Sequence, residues 1–130
     1  EKYRNLSEEN YRKILSENVS FTKFNEIENP LNHMCAISQD DFENNDDVCK
    51  INHCGHIFKK NSIENWLKQN HSCPSCRHNI LINSNINKYT LRNRVYYLTP
   101  LQFRTFITGI ILNAMLTNIS SNVSFSIVRR

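Results

Sequence analysis

Cys54-Gly55-His56 and Cys73-Pro74-Ser75-Cys76-Arg77, sixteen residues apart, are the two stretches on which the reading of this chain turns. The first offers a thiolate and an imidazole, the second two thiolates. Together Cys54, His56, Cys73 and Cys76 make a Cys3His set of the kind that holds one tetrahedral Zn2+ at about 2.0–2.3 Å per ligand. Cysteines can also be buried thiols that merely pack. Two short donor pairs bridged by a mid-length loop favour the metal.

The residues on either side of the donor pairs give them a setting. Positions 48–51 alternate apolar residues and lead into His53 to Phe58, the pattern of a β-hairpin running into a ligand loop. Gly55 suits a tight turn there. Between the pairs, Ser62 reads as the cap of a helix with Ile63, Trp66 and Leu67 on one face, ending near Asn70. Upstream, Cys35-Ala36-Ile37-Ser38 precedes an acidic stretch, 39–47, in which Phe42 is the apolar anchor.

The totals bound the rest. A chain of 130 residues holds one ordinary domain, or a small module with extensions. Two glycines and three prolines leave little room for low-complexity linkers. The 20 asparagines are a matter of composition, not of function. Five cysteines, an odd number, and no signal-peptide pattern argue against a secreted disulfide framework and for a reducing, intracellular compartment, cytoplasmic or nuclear. The first residue is Glu1, not Met, as in a fragment or processed product. The net charge of +4 hides an asymmetry: residues 1–64 hold all 12 acids and 8 bases, whereas residues 65–130 hold 8 bases and no acid.

Taken together, Cys35-x-Ile37 through Phe42, Cys54-Gly55-His56-x-Phe58, Ile63-x-x-Trp66-Leu67 and Cys73-Pro74-x-Cys76-Arg77 resemble the RING domains of ubiquitin ligases. The resemblance covers about 35–80 and neither flank. RING domains hold two zinc ions with alternating ligand pairs, and by that resemblance the second site would be Cys54, His56, Cys73 and Cys76. The first would need ligands at Cys35, Ser38, Lys59 and Ser62. A neutral hydroxyl is a poor zinc donor and an ammonium must first lose a proton, so the sequence predicts one structural zinc. A hydrogen-bonded cluster of Ser38, Lys59, Ser62 and Asp40 or Asp41 is expected in place of the other ion. A non-standard site using Cys35, Cys49 and His53 is the competing arrangement, with an unmetallated, buried Cys49 as the default.

The resemblance also implies a recognition surface. In RING ligases the conjugating enzyme is gripped by residues matching Ile37, Trp66 and Pro74, and a basic residue matching Arg77 holds the charged ubiquitin thioester in a reactive pose. Each has a plainer reading: Ile37 and Trp66 would also serve a small core, and Pro74 the turn geometry of a zinc loop.

The flanks carry less specific signals. Ser7 before Glu8 and Glu9 reads as the cap of an amphipathic helix over 8–17, while Phe21, Phe24 and Ile27 show no clear period before Asn29-Pro30. Ile80 to Ile82 reads as a short closing strand. Positions 88–98 interleave Lys88, Arg92 and Arg94 with Tyr89, Tyr96 and Tyr97, which could bind single-stranded nucleic acid or form the outer face of a packed strand. Thr99-Pro100 is a helix entrance, with an apolar face from Phe103 to about Ile119. Its densest run is too short to span a bilayer, so a buried or interface helix is favoured over membrane association. Val123, Phe125 and Ile127 alternate as in a half-buried strand, and Arg129-Arg130 ends the chain.

The resulting expectation is an α+β chain in three segments: a helical extension at 1–30, a RING-like single-zinc module at 31–83, and a basic, apolar extension at 84–130. The module comprises a β-hairpin, a central helix and ligand loops. The functional expectation is a ubiquitin ligase or ligase subunit whose partners are a ubiquitin-conjugating enzyme and ubiquitin, with a homo-oligomer or larger assembly formed through 99–128. The alternative is a structural zinc protein within a larger complex, and a weaker one is nucleic-acid binding through the basic half.

Overall fold

Asp47–Ile51 (β2) and Ile57–Lys59 (β3) form the hairpin expected from their apolar alternation, with Cys49 opposite Phe58 and Val48 opposite Lys59. In the computed structural model, which describes residues 1–117 and the two-residue strand 125–126, these strands belong to an α+β chain of three α-helices and two antiparallel three-stranded sheets among the described residues. The chain divides into two compact units, one made of residues 14–80 and the other of residues 1–13 with 81–130. The helix α1 (Lys2–Asn18) contributes its last turn to the first unit and the remainder to the second.

In the unit 14–80 the sheet order is β1-β2-β3, where β1 is Val19–Lys23. The strand β1 pairs with β2, Phe21 opposite Cys49, so the boundary expected at 30 falls inside this unit. The segment showed no clear apolar period because β1 is an edge strand: Val19 is buried but Phe21 is 47 % exposed. The helix α2 (Lys60–Leu67) packs on β2 and β3. It begins two residues before Ser62, which is therefore inside the helix and not its cap. Ile63 and Leu67 are buried on its inner face, alongside Val48, Cys49, Ile51, Ile57 and Phe58. Full burial of a side chain such as Phe58 stabilises the unit by about 1.5–3 kcal/mol.

The other unit contains the hairpin of β4 (Asn87–Leu91) and β5 (Arg94–Leu98). Its turn residues Arg92 and Asn93 have φ of 51° and 65°, the left-handed pair that a tight hairpin with right-twisted strands requires. Thr99 caps α3 (Pro100–Leu116) as expected, its hydroxyl accepting from the Gln102 N–H at 3.1 Å while the Gln102 side chain accepts from the Thr99 N–H at 2.9 Å. Tyr89, Leu98 and Phe103 form the core, with Leu6, Tyr96, Phe106 and Ile107 packed around it. Ser7 lies within α1, buried, and its hydroxyl accepts from the Tyr97 N–H at 2.8 Å. It joins helix to hairpin rather than capping. Ile80 to Ile82 is a turn, not a strand, with Ile80 and Leu81 buried.

The strand β6 (Phe125–Ser126) pairs with β4. Val123, Ile127, Arg129-Arg130 and the expected last residues of the helix at 118–119 lie outside the described residues. No helix among the described residues is long and apolar enough to cross a membrane.

Candidate metal centre and recognition surface

The loop between β2 and β3 and the loop after α2 bring Cys54, His56, Cys73 and Cys76 together, with one donor atom from each lying within 4.8 Å of the others. The Cys54 and Cys73 sulfurs are 3.7 Å apart, and His56 Nδ1 is 3.7 Å from the Cys73 sulfur. A regular tetrahedron with metal–sulfur bonds of about 2.3 Å has edges of about 3.7–3.8 Å, and a sulfur–nitrogen edge of about 3.6 Å. The donor set thus fits Zn2+ in kind and in spacing. With all four positions taken by protein, such an ion ties two loops together and leaves no place for a reactive water.

The local environment prepares the thiols unevenly. Burial pushes the Cys54 thiol up to about 12, against the His56 N–H that opposes it. Cys76 is held below the ordinary thiol value, chiefly by the His78 N–H. Gly55, at φ 81°, allows the tight turn between the first two donors. The rings of His53 and His78 stack at 3.6 Å beside the donor loops.

The second ligand loop has a backbone twin. The Cys73 N–H donates to His78 O at 2.9 Å and the Arg77 N–H to Cys73 O at 2.8 Å. The Cys35 N–H likewise donates to Asp40 O at 2.9 Å and the Gln39 N–H to Cys35 O at 2.8 Å. Arg77 and Gln39 both occupy the left-handed region, at φ 67° and 65°. An isolated bridge closes each loop, Ser72 with Asn79 and Met34 with Asp41. Ser38 therefore stands in the first loop where Cys76 stands in the second.

The surroundings of Ser38 differ from those of Cys76. Cys35 is fully buried and accepts the Lys59 N–H at 3.3 Å. Burial raises its thiol, but the Ser38 hydroxyl and the N–H groups of Ser38, Lys59 and Ile37 outweigh this and leave it below the ordinary value. The Ser38 oxygen is itself buried without a hydrogen bond of good geometry. A cleft of about 420 Å3 is lined by Ser38, Asp40, Lys59 and Ser62, with Asp46 and Asp47. The Lys59 ammonium pairs with Asp46 at 3.0 Å, not with the expected Asp40 or Asp41. A turn at 43–46 puts Asp46 there, its carboxylate accepting the Glu43 N–H at 2.8 Å. The Lys59 ammonium thus lines the cleft as a positive charge.

Cys49 is fully buried in β2, its thiol pushed up to about 12 by burial. Among the described residues the Cys54 cluster is the one group with metal-ligand spacing, and it includes none of Cys35, Cys49 and His53.

Of the residues expected to meet a conjugating enzyme and ubiquitin, Ile37, Trp66 and Pro74 are half-buried and Arg77 is exposed. The Trp66 indole N–H donates to Ser72 O at 2.7 Å, which fixes the ring against the loop that carries Pro74. Sequence reasoning missed Asn32. Its side chain imitates a strand, donating to Ile57 O at 2.9 Å and accepting from the Ile57 N–H at 3.0 Å, and so ties the first loop to β3. An isolated asparagine among 20 gives no signal for this. The tyrosines of 88–98 are engaged in packing: Tyr89 stacks on Phe103 at 3.9 Å, Tyr97 on Tyr11 at 4.3 Å, and Tyr96 meets Phe106 edge-on at 5.0 Å.

The sequence is similar to known proteins over the same residues. Residues 33–77 match the family described as Ring finger domain. The RING-H2 finger protein ATL57 of Arabidopsis thaliana is 42 % identical over 50 residues, which are 38 % of this chain and 21 % of that protein. The E3 ubiquitin-protein ligase ZNRF3 of Xenopus tropicalis is 40 % identical over 47 residues, 36 % of this chain and 5 % of that protein. Among solved structures, the RING-H2 domain of Arabidopsis RMR1 aligns with a TM-score of 0.46 at 28 % identity, covering 54 % of this chain and 90 % of that one. Residues 33–77 are a RING-type zinc-finger module. The chain spans about a fifth or less of the length of the first two relatives.

Proposed function

We propose that the chain is a ubiquitin ligase, or a subunit of one, that recruits a charged ubiquitin-conjugating enzyme and promotes transfer of ubiquitin to a lysine. Trp66 carries this reading: its ring is partly accessible and pinned by one short hydrogen bond beside Pro74, as a docking aromatic needs to be. Ile37, Trp66 and Pro74 are assigned to the conjugating enzyme. Arg77 is assigned to the ubiquitin thioester, its exposed side chain projecting from a backbone fixed by the Cys73 turn. Catalysis of this kind needs no nucleophile on the ligase and works by positioning. The names of the relatives, ZNRF3 among them, support the class of activity.

The metal assignment in this proposal is one structural Zn2+, held by Cys54, His56, Cys73 and Cys76, with the Lys59–Asp46 pair in place of a second. Five free cysteines fit a reducing compartment, cytoplasmic or nuclear. Segment 84–130 is proposed as an extension to the ligase module, forming an oligomer or larger assembly through 99–128, whereas of the expected extension 1–30 the strand β1 belongs to the module's own sheet. The rival reading, a purely structural zinc protein, is favoured by the exposed apolar side chains of α3. The test is lysine-dependent discharge of ubiquitin from charged conjugating enzymes. We expect acceleration by the chain and its loss in Trp66→Ala and Arg77→Ala; no acceleration across a panel of such enzymes refutes the ligase reading.

A further inference from the structure

β3 lies at the rim of its sheet, so one of its edges faces away from β2. In an antiparallel ladder alternate residues turn their N–H and C=O groups outward. The Ile51 N–H donates to His56 O at 3.0 Å, and the outward-facing residues of β3 are therefore Ile57 and Lys59. Ile57 is fully buried, where a backbone group without a partner is costly. Among the described residues no strand pairs with this edge.

The missing partners come from the first loop. Both hydrogens and the oxygen of the Asn32 side-chain amide are used: Nδ2 donates to Ile57 O and to Met34 O, each at 2.9 Å, and Oδ1 accepts from the Ile57 N–H at 3.0 Å. Turning the amide over would set its oxygen against two carbonyls, so its orientation is fixed. Three residues on, the Cys35 sulfur takes the Lys59 N–H at 3.3 Å. Sulfur is a weak acceptor, which leaves Asn32 as the stronger tie. One side chain thus does at Ile57 what a fourth strand would do.

The loop held in this way is closed on itself. The Phe42 N–H donates to His33 O at 2.9 Å, the Cys35 N–H to Asp40 O at 2.9 Å, and Met34 is bridged to Asp41. Ile37 stands within it, so whatever orients the loop orients Ile37. The loop at 73–78 is tied to the β2–β3 loop through the donor cluster it shares with Cys54 and His56. The loop at 33–42 hangs instead from β3 by Asn32 and Cys35, with Phe42 against Phe24 at 4.9 Å. Apolar contact is non-directional, whereas the three bonds of Asn32 set register and angle.

We propose that Asn32 is a positioning residue of the recognition surface, fixing through Ile57 and Met34 the loop that presents Ile37 to the conjugating enzyme. That role rests on the ligase reading and deepens it.

The test is ubiquitin discharge over a range of concentrations of charged conjugating enzyme, using the full zinc-loaded chain as wild type, Asn32→Ala, Ile37→Ala and the double variant. Asn32→Ala is expected to raise the half-saturating concentration about tenfold through the hydrogen bonds lost, and to leave the rate at saturation within about twofold. In the Ile37→Ala background the same substitution should shift it by less than about twofold, because a loop without its contact has nothing left to place. Zinc per chain should be unchanged. The amides of Cys35, Gln39 and Phe42 should exchange hydrogen faster, with those of Cys73 and Arg77 unaffected. Asn32→Asp, which keeps the shape and the acceptor but loses both donated bonds, should reproduce the rise and serves if the alanine variant unfolds. An active wild type whose half-saturating concentration is unmoved by Asn32→Ala, equal effects with and without Ile37, unchanged exchange in the loop, or loss of zinc from both variants overturns the role of Asn32 and leaves the ligase reading standing. A wild type without discharge activity refutes the ligase reading and this role with it.

Discussion

Cys76→Ala and Ser38→Ala alter the same position in two loops of like backbone, and their effects should be far apart. A structural zinc contributes about 10–16 kcal/mol in small zinc peptides. Shared among four donors, that is about 3–4 kcal/mol per ligand, or a factor of about 10^2–10^3 in zinc affinity. Set against a total stability of about 5–15 kcal/mol for a domain, Cys76→Ala should empty the site at submicromolar zinc and unfold much of the unit 14–80. Ser38 has a buried oxygen without a good hydrogen bond, and a buried unsatisfied polar group costs about 1–3 kcal/mol. Removing it should lose nothing and can gain about 1 kcal/mol, net of its weak support of the Cys35 thiol. Zinc per chain by native mass spectrometry and urea unfolding at fixed free zinc measure both quantities. Two zinc ions in the wild type, or equal losses in the two variants, would refute the reasoning, since Ser38 would then be holding metal.

Three further outcomes follow from the same structure. Gln39→Gly should stabilise the chain by about 0.5–1 kcal/mol, because Gln39 is held at φ 65° where glycine has no steric penalty; a loss in urea unfolding would mean that its side chain matters more than its backbone. Phe103→Ala should destabilise the unit that contains it by about 3–5 kcal/mol through loss of its stack on Tyr89, while leaving zinc content unchanged by mass spectrometry. Burial raises Tyr97, and raises Tyr11 beyond it with Tyr97 adding to the effect, so the neutral phenols are favoured in the fold. Their contribution to stability is complete below the ordinary value of about 10 and falls as pH climbs through the folded values. Ultraviolet titration should therefore show Tyr11 and Tyr97 ionising above the ordinary phenol value and together with unfolding; their reversible ionisation near pH 10 with the fold intact would contradict this.

The parts of the fold legible in the sequence were those written in short-range chemistry. Cys54, His56, Cys73 and Cys76 announce themselves because donor type and spacing are properties of neighbouring residues. Thr99-Pro100 does so because a helix cap is local too. The hairpin β2–β3 followed from alternation. The strand β1 did not, because an edge strand buries little and its pairing with β2 depends on residues far along the chain. Ser7 and Ser62 carry the composition of caps, yet tertiary packing extends α1 and α2 past them. Lys59 was expected in a hydrogen-bonded cluster with Ser38, Ser62 and Asp40 or Asp41, whereas its ion pair is with Asp46 and the Ser38 oxygen has no good hydrogen bond. Asp46 is delivered by a turn whose closure the sequence does not display.

The paired loops at 35–40 and 73–78 carry one further implication. Their backbone hydrogen bonds are alike although their side-chain donors are not, so the loop conformation does not require a full complement of ligands to persist. Ser38→Cys would therefore enter a backbone like the one that carries Cys76.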